Sequence, residues 1–469
     1  MMIASSEREW PALPALVALA LAVAMAPAAA QPEQPLIVPD YLTVANGGQV
    51  VMSPLEAARW ALERNTDLLV QATSVEEAMG QLRQAWAADR LTADVQGSAM
   101  LLGPVSTIEF AAGEGEDPIS VQVGQDHSVQ GTLSVTQPIY TGGRAELSVD
   151  LAEEGVAASR LGTDIARLSV ALGAQELGYG VLRAVQLAGV AAAQVTAIAE
   201  HARQAQVLED AGVAPHFDVV QANTELARAQ ESLISAQTAI EQIRAQLRRL
   251  LALPQETDLS LLDPPPPVMP EGELPDLIDQ ALLSRPEVRA GEAAVRIARF
   301  SLALAERDLA PSVALTGSLT AQTASGFGGN NYSWQVGVVA SKPLTDGGAR
   351  SGKIEAAQAR LRSAELQLRG TQEAIALGVV QQFLAIGRAR ETIVAAQQGV
   401  DQARERRRMS QLRYREGLGT GIEVLDADTA LAAAEASSVN AQYDLQLAVI
   451  RLRTAMGIMD VPQQEVETE

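Results

Sequence analysis

The chain has 469 residues, with 35 Lys+Arg against 57 Asp+Glu and a formal charge of -22. That balance excludes a nucleic-acid partner, which needs a basic face, and permits either an acidic lumen or tip that attracts cations or a solvated acidic surface. Cysteine is absent, so disulfides, thiolate metal sites, a Cys nucleophile and a lipid-modified N-terminal cysteine are all excluded. The histidines are His127, His201 and His216. No two are placed like a metal pair, so they read as surface or packing residues, and no metal or other cofactor is expected.

Residues 13–25 form an apolar stretch too short to span a bilayer, and Ala28-Ala29-Ala30 follows with small residues placed for cleavage before Gln31. This reads as a signal peptide over residues 1–30, although Glu7, Arg8 and Glu9 leave its start without net positive charge. An extended segment over 31–52 comes next. No later window offers ~18 uninterrupted apolar residues, so membrane entry requires a β-barrel.

The remainder reads as two tandem repeats, over 53–262 and 273–458, joined by a Pro-rich linker at 263–272 and followed by an acidic tail at 459–469. Gln137-Pro138-Ile139-Tyr140-Thr141-Gly142-Gly143 resembles Lys342-Pro343-Leu344-Thr345-Asp346-Gly347-Gly348, an offset of 205 (343 − 138). Gly212 meets Gly417, Asp218 meets Glu423 and Leu251-Ala252 meets Met456-Gly457 at that same offset. Upstream the offset is 220, as from Ala61 to Ala281 (281 − 61), so repeat 1 carries an insertion. It falls within residues 103–126, where Gly, Glu, Asp and Pro gather as in a surface loop.

Within each repeat, period-2 alternation predicts a strand pair, over 92–103 and 128–138 in repeat 1 and over 312–323 and 332–342 in repeat 2. Val95, Gly97, Ala99 and Leu101 share one face, and Trp334, Val336, Val338 and Ala340 share another. The opposite faces are Ser, Thr and Gln, as beside a watery lumen. Phe327, Tyr332, Trp334 and Tyr140 lie near strand ends, where interfacial aromatics belong. Four strands cannot close a barrel, so insertion requires several chains to share one. Long helices are expected over 145–210 and 349–416, and shorter ones over 217–253 and 422–458, with further helices over 67–90 and 287–310. Ile354, Ala357, Leu361, Ala364, Leu368, Thr371 and Ile375 repeat as a coiled-coil seam.

Tyr414-Arg415-Glu416-Gly417, then Glu423-Val424-Leu425-Asp426-Ala427 and Leu431, together with the turn at Pro343 to Arg350, resemble the TolC family of outer-membrane efflux and type I secretion channels. The resemblance covers nearly the whole mature chain. It implies an α+β membrane protein in which four strands per subunit enter a twelve-stranded trimeric β-barrel. Long helices continue the barrel as a coiled-coil α-helical tunnel in the periplasm of a Gram-negative bacterium. The implied partners are two further copies of the chain, outer-membrane lipid, a periplasmic adaptor and an inner-membrane pump of RND, ABC or MFS type. The exported substrate, small molecule or polypeptide, is left open.

Several residue roles follow from the resemblance. Pro138, Gly142, Gly143, Pro343, Gly347 and Gly348 form the barrel-to-helix turns. Gly212, Val213, Ala214, Gly417, Leu418 and Gly419 form the adaptor-contacting tips, whose glycines also cap helices. Glu423 and Asp426 match an acidic ring at the periplasmic entrance, where crowded carboxylates bind cations, or else they stabilise the first turn of their helix. Asp218 and Tyr414 match inter-helix contacts of the closed state. The family's best-known pattern has an Arg where this chain has Gly419, which leaves Arg413 or Arg415 as substitutes for that contact to Asp218. No nucleophile–base pair, metal cluster or phosphate-binding Gly-rich loop emerges, so an enzyme is not expected. A periplasm-spanning coiled-coil scaffold or adaptor is the competing reading.

Overall fold

The computed structural model describes residues 49–101, 103, 106–110, 119–123, 127–322 and 331–459. The expected signal peptide, Phe327, all but the last four residues of the extended segment and all but the first of the acidic tail lie outside the described residues. In chain order the elements are β1 (Gln49–Met52), α1 (Pro54–Arg64), α2 (Thr66–Ala87), β2 (Thr92–Leu101), β3 (Ser106–Phe110), β4 (Ile119–Val123), β5 (His127–Tyr140), α3 (Arg144–Asp210), α4 (His216–Leu250), β6 (Asp258–Leu261), α5 (Leu274–Ser284), α6 (Pro286–Glu306), β7 (Ser312–Gln322), β8 (Tyr332–Ser341), α7 (Ala349–Arg415) and α8 (Gly421–Ala455). The described residues fall into two compact units, one holding residues within 79–154 and 297–361, the other residues 49–78, 155–296 and 362–459.

The first unit is built on an antiparallel sheet of order β2-β5-β7-β8. Its register sorts side chains by chemistry. Val95, Leu133, Leu319 and Trp334 pair in one row across all four strands, and all are exposed, at 52%, 40%, 44% and 73%. Gln96, Thr132, Thr320 and Ser333 form the neighbouring row on the other face, where the Thr132 and Thr320 hydroxyls meet at 3.3 Å. Strand alternation therefore gives one apolar face and one polar face. β3 and β4 pair as a separate antiparallel hairpin. This corrects the reading of 103–126 as a plain loop: Ile108 and Phe110, then Ile119, Val121 and Val123, supply the short alternating runs.

α3 and α7 each run 67 residues, and α4 and α8 each run 35. At ~1.5 Å per residue the long pair would each extend ~100 Å. The seam over Ile354, Ala357, Leu361, Ala364, Leu368, Thr371 and Ile375 is buried or half-buried while nearly all positions between are exposed. That is the heptad rule, since only a and d positions meet the neighbouring helix. By length and composition α3 is apolar enough to cross a bilayer. Its Ala171, Ala174 and Val181 instead pack against Ala57, Ala58 and Ala61 of α1, Leu247 of α4 and Leu259 of β6. A second core gathers Leu277, Val288, Val379, Ile386, Val449 and Leu452 from α5 to α8.

Some boundaries differ from expectation for local reasons. The extended segment ends as β1, which pairs in parallel with β6. α1 and α5 precede the expected helices. Ser53 caps α1 with a capping box, its hydroxyl accepting from Glu56 N at 3.2 Å while Glu56 accepts from Ser53 N at 2.6 Å, the reciprocal pairing that satisfies free N–H groups. The chain breaks between α1 and α2 at buried Asn65, whose side chain accepts from Leu68 N at 3.0 Å and donates to Leu250 O at 2.9 Å. At the α5–α6 break Arg285 donates to Thr454 O at 2.8 Å and Ser284 to Met456 O at 2.6 Å. α4 and α8 stop at Leu250 and Ala455, short of 253 and 458, because Ala252 and Gly457 turn left-handed at φ 52° and 75°.

Candidate functional site

The expected turns between strands and long helices are built differently. Pro138 lies in β5, beside a register shift between Pro138 and Tyr140. Gly142 and Gly143 follow at φ 72° and 73°, and a Cβ on Gly142 would lie 2.4 Å from Ala310 Cβ. Only glycine meets both demands, a left-handed backbone and close approach. Pro343 follows β8 in exposed chain, and a Cβ on Gly347 would meet nothing. There Asp346 caps α7, accepting from Gly348 N at 3.0 Å and from Arg350 N at 2.6 Å.

At the other end of the long helices, two turns reverse the chain. Gly212 and Gly417 take φ 73° and 72°, and the amides beyond them bond back into the helix, Val213 N to Leu208 O and Leu418 N to Arg413 O, both at 2.8 Å. Such left-handed caps satisfy carbonyls that the helix leaves free. Val213 and Leu418 are largely exposed, at 74% and 72%, and Ala214 is half-buried. Gly419 has a steric reason: its Cβ would come within 3.2 Å of Arg413 Cβ and of Glu423 Oε2. Arg413 donates to Leu418 O at 3.1 Å and lies 3.9 Å from Glu423. Neither Arg413 nor Arg415 pairs with Asp218 among the described residues. Thr420 caps α8, accepting from Glu423 N at 3.4 Å. Glu423 therefore sits in the first turn, where the helix dipole favours a carboxylate, and Asp426 is exposed one turn on.

Just inside these turns all four helices meet. His201 of α3 and Tyr414 of α7 are buried, at 4% and 8% exposure, with ring centroids 5.1 Å apart and tilted by 55°. α8 brings Gly421, whose Cβ would lie 3.4 Å from His201 Nε2 and 3.6 Å from Asp218 Oδ2 of α4. The structure thus brings Asp218 and Tyr414 into one cluster and adds His201. Neither His201 Nε2 nor the Tyr414 hydroxyl has a hydrogen-bond partner among the described residues. Burial pushes the Tyr414 phenol upward and the Asp218 charge adds to it. Burial pushes the His201 imidazole downward, and Asp218 opposes that in part.

One layer deeper, Asp428 is buried at 4%, and its Oδ1 lies 2.7 Å from Arg407 Nε. Burial raises its pKa and Arg407 draws it back. Arg404 and Glu435 pair at 3.2 Å between the same helices. Sequence reasoning missed both Asp428 and His201 as site residues. The signal was present in spacing: Asp428 shares the buried stripe of Val424, Leu425 and Leu431, and His201 that of Ile198, Ala202 and Ala205. A titratable residue on a core stripe is a paired or a functional one. No group of metal-binding side chains occurs among the described residues.

A family model for outer membrane efflux proteins matches residues 58–253 and 277–458. The outer membrane efflux protein BepC of Brucella suis is 26% identical over 353 residues, covering 72% of this chain and 74% of that protein. Protein CyaE of Bordetella pertussis is 30% identical over 198 residues, 41% of this chain and 42% of that one. Among solved structures, the outer membrane protein VceC from Vibrio cholerae has a TM-score of 0.70 at 19% identity, covering 86% of this chain and 96% of that chain. The Campylobacter jejuni CmeC outer membrane channel has a TM-score of 0.72 at 17% identity, covering 86% and 85%. With the family model spanning most of its length, this chain belongs to the outer membrane efflux protein family, and is an outer-membrane efflux channel protein of TolC-like fold.

Proposed function

We propose that three copies of this chain form a passive exit duct, with four strands from each closing a twelve-stranded barrel and the long helices continuing it as a tunnel through the periplasm. The observation that carries this is the sheet. Its outer strands β2 and β8 pair on one side only among the described residues, and its apolar rows are exposed. Unpaired edges and an uncovered apolar face are both costly, and closure in lipid by neighbouring copies removes both at once. A free-standing scaffold or adaptor would leave the Val95–Trp334 row without a partner.

In this reading residues 1–30 direct secretion, and residues 53–262 and 273–458 are two tandem repeats on either side of the linker at 263–272. The equal lengths of α3 and α7, and of α4 and α8, support the repeats. The turns at 212–214 and 417–419 receive a periplasmic adaptor. An inner-membrane pump supplies the energy, as the chain carries no nucleotide-binding loop, and the protein is not an enzyme. Glu423 and Asp426 from three subunits form an acidic entrance, and the cluster around Tyr414 and Asp218 keeps it closed. Detergent-extracted protein should run as a trimer that heating dissociates, and it should conduct ions in planar bilayers. A soluble, non-conducting monomer would overturn the proposal.

A further inference from the structure

His201 is the one buried histidine among the described residues, and the functional reading above leaves it unused. Its ring closes the junction of α3, α4, α7 and α8 and contacts Tyr414. We infer that His201 is an acid-released clasp: neutral, it lets the four helix ends pack, and protonated, it forces them apart. The consequence for conduction rests on the proposed channel function; the clasp itself does not.

The groups around the ring decide the sign. α4 presents Asp218 and α7 presents Tyr414. α8 presents Gly421, while its Glu423 turns toward Arg413 and its Asp428 toward Arg407. On α3 itself the exposed Glu200 and Arg203 pair with each other. A single carboxylate therefore faces the imidazolium, and burial outweighs it, so the packed state binds the proton more weakly than an open state would. A base with a depressed packed-state pKa stabilises packing above its ordinary value of ~6.5, and that contribution is lost as pH falls below it. His216 provides an internal contrast: it is exposed, and its Nδ1 lies 2.7 Å from Glu209.

Hydrogen exchange on the full-length detergent-solubilised protein, corrected for intrinsic amide chemistry, tests this at pH 7.5 and 5.5. Amides over 198–222 and 411–428 should open more often at the lower pH. His201→Gln should abolish the response and His216→Gln should retain it. An equal acid response in His201→Gln, or none in the wild type, would overturn the clasp. Deuterium exchange at the His201 ring C2 in the wild type needs no variant; a titration midpoint at the ordinary histidine value would also overturn it. Planar-bilayer conductance on the same samples separates the two claims. A protein that shows the exchange response without conducting retains the clasp and loses the channel.

Discussion

Replacing Arg407 with alanine removes the only charge partner of the Asp428 carboxylate among the described residues. Breaking a fully buried ion pair costs roughly 3–5 kcal/mol, because a charge is left in low dielectric. Here the Asp428 side chain is 2% exposed but that of Arg407 is 35% exposed, so about 2 kcal/mol is the reasonable expectation. Hydrogen exchange in the first half of α8 should then accelerate by about 30-fold at pH 7.5. The penalty has a pH sign. Burial already raises the Asp428 pKa, and losing Arg407 raises it further. A raised carboxylate pKa means packing is favoured at low pH and opposed as pH rises through the packed-state value, so the cost of Arg407→Ala should shrink toward pH 4. In an Asp428→Asn background the same substitution should accelerate exchange less than about threefold, since only packing is lost. Equal acceleration in both backgrounds would refute the assignment of Arg407 as counter-charge.

Gly142→Ala should cost at least about 2 kcal/mol, combining left-handed strain with the collision at Ala310, whereas Gly347→Ala, with a similar φ and open space, should cost about 1 kcal/mol; denaturant titration of the two variants compares them. Ala252→Gly should raise thermal stability by about 0.5–1 kcal/mol, because Ala252 holds φ 52° where its counterpart is Gly457; a lowered melting temperature would contradict this. Glu423→Gln with Asp426→Asn should weaken block by polyvalent cations in single-channel recordings, and unchanged block would leave these acids as helix-terminus residues only.

Periodicity carried the parts of this molecule whose neighbours impose a strict repeat. The seam from Ile354 to Ile375 was legible because its buried positions recur at heptad spacing along one face of the helix. The strands were legible because a half-buried sheet sorts every second residue. Short elements were not. β1 and β6 are four residues each and are specified by each other across about 200 residues of chain, a relation that no local window contains. The β3–β4 hairpin hid in a Gly- and Glu-rich segment whose composition masks two five-residue runs. At the helix turns, the motif identified Tyr414 and Asp218, but their common neighbour His201 stands 17 residues before Asp218 (218 − 201). Only the antiparallel return of α4 along α3 brings these two together.

If three copies share one barrel as proposed, β2 of one copy pairs with β8 of the next. The chain has no cysteine, so engineered pairs report without background. A cysteine at Gln96, combined in turn with one at Ser333, Gln335 or Gly337, should cross-link under oxidation in isolated outer membranes, giving covalent dimers and trimers for at least one pairing. Cross-links confined within single chains, or none in any pairing, would contradict the shared barrel.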